Sequence, residues 1–212
     1  MKSNALLIIA CCTLLFSCGN NKKETDSSSL PILGERYYDE ETKDTVYHAI
    51  PEFTLTNQDG KEVGLKDVKG KIFIADFFFT TCTTICPKMT SQLKRVAKKI
   101  EGYDDVYIVS HTVDPTIDSV ETLKSYATDN GINTKKWWFL TGDESFIHEH
   151  GGQGYLLNVL KDSTAQGGFL HSEMFVLVDK DLHIRGIYNG TETKDVDRLL
   201  SELEILRKEY GN

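Results

Sequence analysis

The chain has 212 residues, 40% hydrophobic and 26% charged, with a net charge of −8. That length supports one domain with a well-buried core and leaves little room for a second. The acidic balance argues against nucleic acid or an anionic membrane surface as a partner.

Met1 and Lys2 form a short basic start, and Ala5 to Phe16 (ALLIIACCTLLF) is an apolar segment of signal-peptide length, too short to cross a bilayer as a helix. Leu15-Phe16-Ser17-Cys18 resembles a bacterial lipobox, in which the cysteine is lipidated and becomes the new N-terminus after cleavage. An ordinary signal peptide with an incidental cysteine is the alternative. On the first reading, residues 1–17 are a lipoprotein signal peptide, 18–33 a polar tether and 34–212 the folded domain. Several acyl groups on Cys18 would hold the protein stably on the cell envelope, facing the periplasm from the inner or outer membrane. Of the five cysteines, Cys11 and Cys12 then leave with the signal and Cys18 carries lipid. Cys82 and Cys86 are left as thiols in a compartment that permits disulfides.

Phe53 to Thr56 and Lys61 to Leu65 flank Asn57-Gln58-Asp59-Gly60, which predicts a β-hairpin. Lys71 to Phe79 (KIFIADFFF) is nearly continuous apolar sequence and predicts a central strand buried on both faces. Met89, Leu93, Val96, Ala97 and Ile100 give Cys86 to Ile100 a helical period. A strand at Asp105 to Ser110, a helix at Ile117 to Thr128, a short strand at Trp137 to Leu140 and a helical piece at Glu144 to His150 follow. Tyr155 to Leu160 predicts extended chain before a loop. Met174 to Val178 and His183 to Tyr188 predict a hairpin, and Val196 to Lys208 a closing amphipathic helix. The order predicts an α/β thioredoxin-like fold: a central mixed sheet flanked by helices, with an N-terminal β-hairpin. In open α/β sheets chemistry gathers outside the carboxyl ends of the strands, where the cysteines fall.

Cys82 and Cys86 are spaced i, i+4, which on a helix puts both sulfurs on one face about a turn apart. At a helix start, unpaired N–H groups and the dipole favour thiolate over thiol, and Pro87 is tolerated in the first turn. Such a pair can ligate a soft metal or close into a disulfide. Redox thioredoxins place a proline against the disulfide, just before the strand that opens the last hairpin. Pro31, Pro51, Pro87 and Pro115 all lie elsewhere, and what falls there is His171. Two thiolates and a neutral imidazole make a soft donor set suited to Cu(I), and to Cu(II) if an oxygen joins; a structural zinc site would want a fourth protein ligand. His111, His148, His150 and His183 are not read as ligands; His148 and His150 fall on opposite sides of a helix, with a solvated surface as the expected home.

FTTCTTICPKM, HTVDPTIDSVETLKSYA, FLTGD and HSEMFVLVD together resemble the SCO/SenC family of copper-binding, thioredoxin-like proteins of cytochrome c oxidase assembly. The resemblance runs from about Ile50 to the C-terminus. It implies a site of Cys82, Cys86 and His171 for one copper ion, with the two cysteines doubling as a redox-active disulfide. It also puts the family's Asp-Pro loop at Asp114 and Pro115, followed by Asp118; Asp114 would orient a ligand from behind or simply shape the turn. Thr83 and Thr84 replace the usual proline and acidic residue of the motif, and Leu170 an acidic residue before the histidine, which removes negative charge near the ligands.

The expectation is a membrane-tethered metallochaperone that delivers copper to the dinuclear copper centre of oxidase subunit II or to another exported cuproprotein. A thiol–disulfide oxidoreductase acting on such a client is the main alternative, and copper buffering or sensing a third.

Overall fold

The computed structural model describes residues 29–157, 160–161, 169–170 and 172–211. The expected signal peptide, Cys18, most of the tether and His171 lie outside the described residues.

β1 (Arg36–Asp39) and β2 (Asp44–Tyr47) pair as a separate antiparallel hairpin. Sequence periodicity gives no sign of it, because both faces meet water: the neighbours Tyr37 and Tyr38 are 64% and 55% exposed. Its turn is shaped by Asp39 Oδ1, which accepts from the Glu41 and Thr42 amides, and by Lys43 at a left-handed φ of 58°. The expected hairpin follows as β3 (Thr54–Asn57) and β4 (Glu62–Gly64), with Asn57 Oδ1 accepting from Asp59 and Lys61 across the turn. A single helical turn, α1 (Leu65–Val68), leads into β5 (Ile72–Phe78), where every residue is buried.

Then come α2 (Cys86–Lys99), β6 (Val106–Thr112), α3 (Val120–Asp129), β7 (Trp137–Thr141) and α4 (Glu144–Glu149). Ser119 and Asp143 cap the two later helices, each accepting from the backbone three residues on. A π-turn at His150–Gly154 prolongs α4. β8 (Leu160–Lys161) pairs with β9 (Phe169–Leu170), and β10 (Met174–Val178) with β11 (Ile184–Asn189), before α5 (Thr193–Glu209).

Tyr155 to Leu157 is not the extended segment its apolar run suggested. Tyr155 ends the π-turn in a helical conformation and Leu156 takes a left-handed φ of 59°. The run is apolar because Tyr155 is buried against the core rather than because it alternates in a sheet.

Among the described residues, seven strands form one mixed sheet in the order β11-β10-β5-β6-β7-β3-β4. β5, β6 and β7 are parallel and the flanking pairs antiparallel. This is the expected thioredoxin-like plan. One face carries Asp76, Phe78, Ser110 and Trp137 and is covered by α2, α3 and α5: Tyr126 of α3 lies 5.4 Å from the Phe78 ring and hydrogen-bonds Thr90 of α2, and Arg95 of α2 pairs with Asp197 of α5. The other face carries Phe77 and His111 and is covered by Phe53, His150 and Tyr155. α2 buries Cys86, Met89, Thr90, Leu93 and Val96, one stripe at helical spacing.

Leu30 to Leu33, expected within the tether, are fastened to the body. Leu33 bridges Ile184, and the buried Arg185 donates to the Leu30 and Pro31 carbonyls while pairing with Asp179 and Glu209.

Candidate functional site

β5 delivers the chain to the carboxyl edge of the sheet, and Phe79 to Ile85 form the loop that carries Cys82. Cys82 is thus not on the helix: only Cys86 is, as its first residue, with Pro87 next. The i, i+4 relation survives across the loop–helix junction, because the Cys86 amide donates to the Cys82 sulfur at 3.4 Å. Both residues are thiols rather than a disulfide, and both are buried.

The two sulfurs differ, against the expectation that both favour the thiolate. At Cys82 burial opposes the anion, but hydrogen bonds from the Cys86 thiol and amide and from Thr84 outweigh it and lower the pKa below the usual thiol value. At Cys86 burial raises the pKa, and the bond to the Cys82 sulfur and the negative charges of Cys82 and Asp76 add to the rise. Cys82 is therefore the sulfur that ionises first.

Asp118 fixes the loop. It is fully buried, and its carboxylate accepts from the Thr80 amide at 3.1 Å, from the Thr80 hydroxyl and from the Thr112 hydroxyl at 2.5 Å. The turn from β6 is thereby tied to the residue two positions before Cys82. Asp114 serves that turn directly: its carboxylate accepts from Thr116, and its carbonyl from the Ile117 and Asp118 amides.

Beneath Cys86 lies a polar chain that the apolar pattern of β5 conceals. The Trp137 indole donates to the Ser110 hydroxyl at 2.8 Å, which donates to Asp76 at 2.5 Å. Burial pushes Asp76 up to about 7 although the Ser110 bond favours its charged form. The signal for it was an acid inside an otherwise apolar strand.

His111 and His150 are not surface residues. They are 0% and 2% exposed and form a cluster with the buried Tyr155, at centroid distances of 5.1 to 6.0 Å. Burial holds His111 down at about 3, with the neighbouring His150 adding to the shift, and His150 at about 4. His148 meets the Val113 carbonyl at 2.8 Å, and His183 is half-buried. Among the described residues no three His, Cys, Asp or Glu side chains gather as a metal site; the dithiol contributes two, and His171 lies outside those residues.

The SCO1/SenC family pattern matches residues 41–206, which include the cysteine loop, the Asp114 turn and the last hairpin. This chain belongs to the SCO1/SenC family. A SCO1 protein homolog of Bacillus subtilis is 35% identical over 167 residues, 78% of this chain and 86% of its own. The structure of a SCO1/SenC family lipoprotein from Bacillus anthracis superposes with a TM-score of 0.69 at 32% identity, covering 76% of this chain and 95% of that one. BsSco, described as having a disulfide switch and as a member of the Sco family of cytochrome c oxidase assembly proteins, superposes at 0.66 with 36% identity, over 74% and 92% of the two chains. Arabidopsis thaliana ScoI, solved with copper bound, superposes at 0.62 with 29% identity, over 76% and 99%.

Proposed function

We propose that this SCO1/SenC protein is an envelope-tethered copper chaperone, in which Cys82, Cys86 and His171 hold one copper ion as cargo for the dinuclear copper centre of oxidase subunit II. The observation that carries the reading is the reduced pair at the sheet edge, with an amide aimed at the Cys82 sulfur. Two thiolates suit a soft monovalent ion, and an imidazole completes a three-donor set. Cys82 offers the first donor, and binding then has to displace the proton that burial holds on Cys86. Thiolates of the acceptor would replace these donors one at a time. The copper-bound Arabidopsis relative and the oxidase-assembly description of BsSco support the assignment.

The unequal thiols also favour a second reading, dithiol exchange. The Cys82 thiolate would attack a client disulfide and release one client thiolate. Cys86, once deprotonated, would then attack the Cys82 sulfur, which closes the Cys82–Cys86 disulfide and frees the second client thiol. A protein in that disulfide state has lost both sulfur donors, so the two roles exclude each other at any instant.

Tethering rests on Cys18 and on the lipoprotein description of the Bacillus anthracis relative. Among the described residues no helix is long and apolar enough to cross a membrane. Cys18→Ser should move the protein out of the membrane fraction.

The deciding experiment is copper titration of the reduced protein beside His171→Ala. One copper per chain is expected, with loss of tight binding in the variant and dithiol exchange retained. Full copper affinity in His171→Ala would falsify the three-donor site.

A further inference from the structure

On the sheet face opposite α2, His111 of β6 meets His150 and Tyr155, the residues that open and follow the π-turn. All three are buried, at 0%, 2% and 0% exposure. Among the described residues, five buried side-chain nitrogen and oxygen atoms have no hydrogen-bond partner, and four of them are here: His111 Nδ1 and Nε2, His150 Nε2 and Tyr155 Oη. Folded proteins pair almost all such atoms, so four together point to a ligand between them. The rings are held from outside. Phe77 stacks on His111 at 4.8 Å and Phe146 on His150 at 5.3 Å, and Phe53 packs against both imidazoles. The backbone of Gly154 crowds His150, since a Cβ there would stand 3.2 Å from Nδ1. The π-turn thus covers the Nδ1 edge of that ring and leaves Nε2 as its open, buried nitrogen.

We propose that His111 and His150 form a second metal site, which takes one closed-shell monovalent ion, Cu(I), between a nitrogen of each ring, with Tyr155 closing the remaining side. With metal–nitrogen bonds of about 2 Å, two imidazoles on one ion keep their ring centres roughly 6 Å apart. The two centres here are 6.0 Å apart. Imidazole is a ready copper ligand, and burial keeps both rings neutral, so each offers a lone pair with no proton to displace. A divalent ion fits less well. Among phenylalanines it would need anionic ligands to offset its second charge, and burial pushes the Tyr155 phenol well above its usual range, away from phenolate. The choice of copper among monovalent ions rests on the chaperone reading; the pair of nitrogens does not.

The test uses the protein with Cys82→Ser/Cys86→Ser, which removes the dithiol, and with isotope-labelled histidine. It is titrated with silver nitrate, a stable monovalent stand-in, and separately with Cu(I) under anaerobic conditions. Two imidazole nitrogen signals, those of His111 and His150, should split by coupling to one silver nucleus, and the melting temperature should rise. His111→Phe and His150→Phe should each abolish the splitting and weaken Cu(I) binding at least a hundredfold against a competing chelator. The coupling is read with both histidines in place, so the test stands even if a variant fails to fold. Absence of silver coupling at the two rings, equal Cu(I) affinity in folded histidine variants, or a silver-soaked crystal with water alone between the rings would each overturn the proposal. Cys82 and Cys86 take no part, so failure here leaves the dithiol site standing, and loss of copper in His171→Ala leaves this one standing.

Discussion

Asp118 and Thr80 join two loops that are 38 residues apart in sequence: the Asp118 carboxylate accepts both the amide and the hydroxyl of Thr80. Because Thr112 donates to the same carboxylate, three donors depend on one buried side chain. Asp118→Ala should cost about 3 kcal/mol of stability, read from the urea midpoint, because those donors lose their acceptor. Copper affinity should fall with it, as the loop before Cys82 loses its anchor. Asp118→Asn keeps one acceptor oxygen and should recover part of both. Unchanged copper affinity in Asp118→Ala would show that the loop is held by other means.

The two thiols should react at different rates. Alkylation of the reduced protein near neutral pH is expected to modify Cys82 first, with an apparent pKa below 9.0, the ordinary thiol value, while Cys86 lags. Cys86→Ala removes a hydrogen bond to the Cys82 sulfur and should shift the Cys82 profile upward. Mass spectrometry of timed digests resolves the two sites, and equal rates would contradict the asymmetry.

The buried imidazoles should make the fold acid-sensitive. Both fold with pKa values below the ordinary 6.5, about 3 for His111 and about 4 for His150. The unfolded chain therefore binds more protons once the pH drops through 6.5, and stability is lost from there down to the folded values. Each group contributes about 1.4 kcal/mol per pH unit in that window. The stability difference between the natural chain and His111→Leu/His150→Leu should therefore change by about 2.4 kcal/mol between pH 6 and 5, slightly under the full slope because the unfolded rings are not yet wholly protonated at pH 6. Denaturant titrations at the two pH values test it; parallel curves would mean the rings titrate normally.

Asp76 acts with the opposite sign. Its folded pKa of about 7 lies above the ordinary 3.8, so its contribution is fully present below 3.8 and is lost as the pH rises through 7. Asp76→Asn should stabilise the protein most above pH 7, by on the order of 4 kcal/mol, with the gain shrinking toward pH 4. A gain independent of pH would remove the buried charge as its cause.

What the sequence disclosed followed from regular burial. KIFIADFFF announced β5 because a strand covered on both faces needs apolar residues throughout, and the stripe from Met89 to Ile100 announced α2 for the matching reason on one face. The β1–β2 hairpin left no such trace, since neither face is buried enough to impose a pattern. Histidine was the harder case. His111 occupies a strand position facing Phe77 and Tyr155, and His150 a helix end facing Phe53, so their burial depends on contacts between distant segments that no local spacing encodes. Cys82 and Cys86 were recognisable by residue type and interval, but their difference in acidity depends on which of them the loop leaves outside the helix.

The Arg185 clamp has a mechanical consequence. Force transmitted along the chain before Leu30 reaches the body through the Leu30 and Pro31 carbonyls and passes to Asp179 and Glu209. Asp179 directly follows the strand whose last residue, Val178, pairs with Phe73 near the start of β5, whereas Cys82 lies past the other end of β5. About 20 Å of rigid, fully buried strand lies between them. A pull applied ahead of Leu30 would be taken up at the end of the sheet away from Cys82 and Cys86, and the thiol pair would keep its geometry.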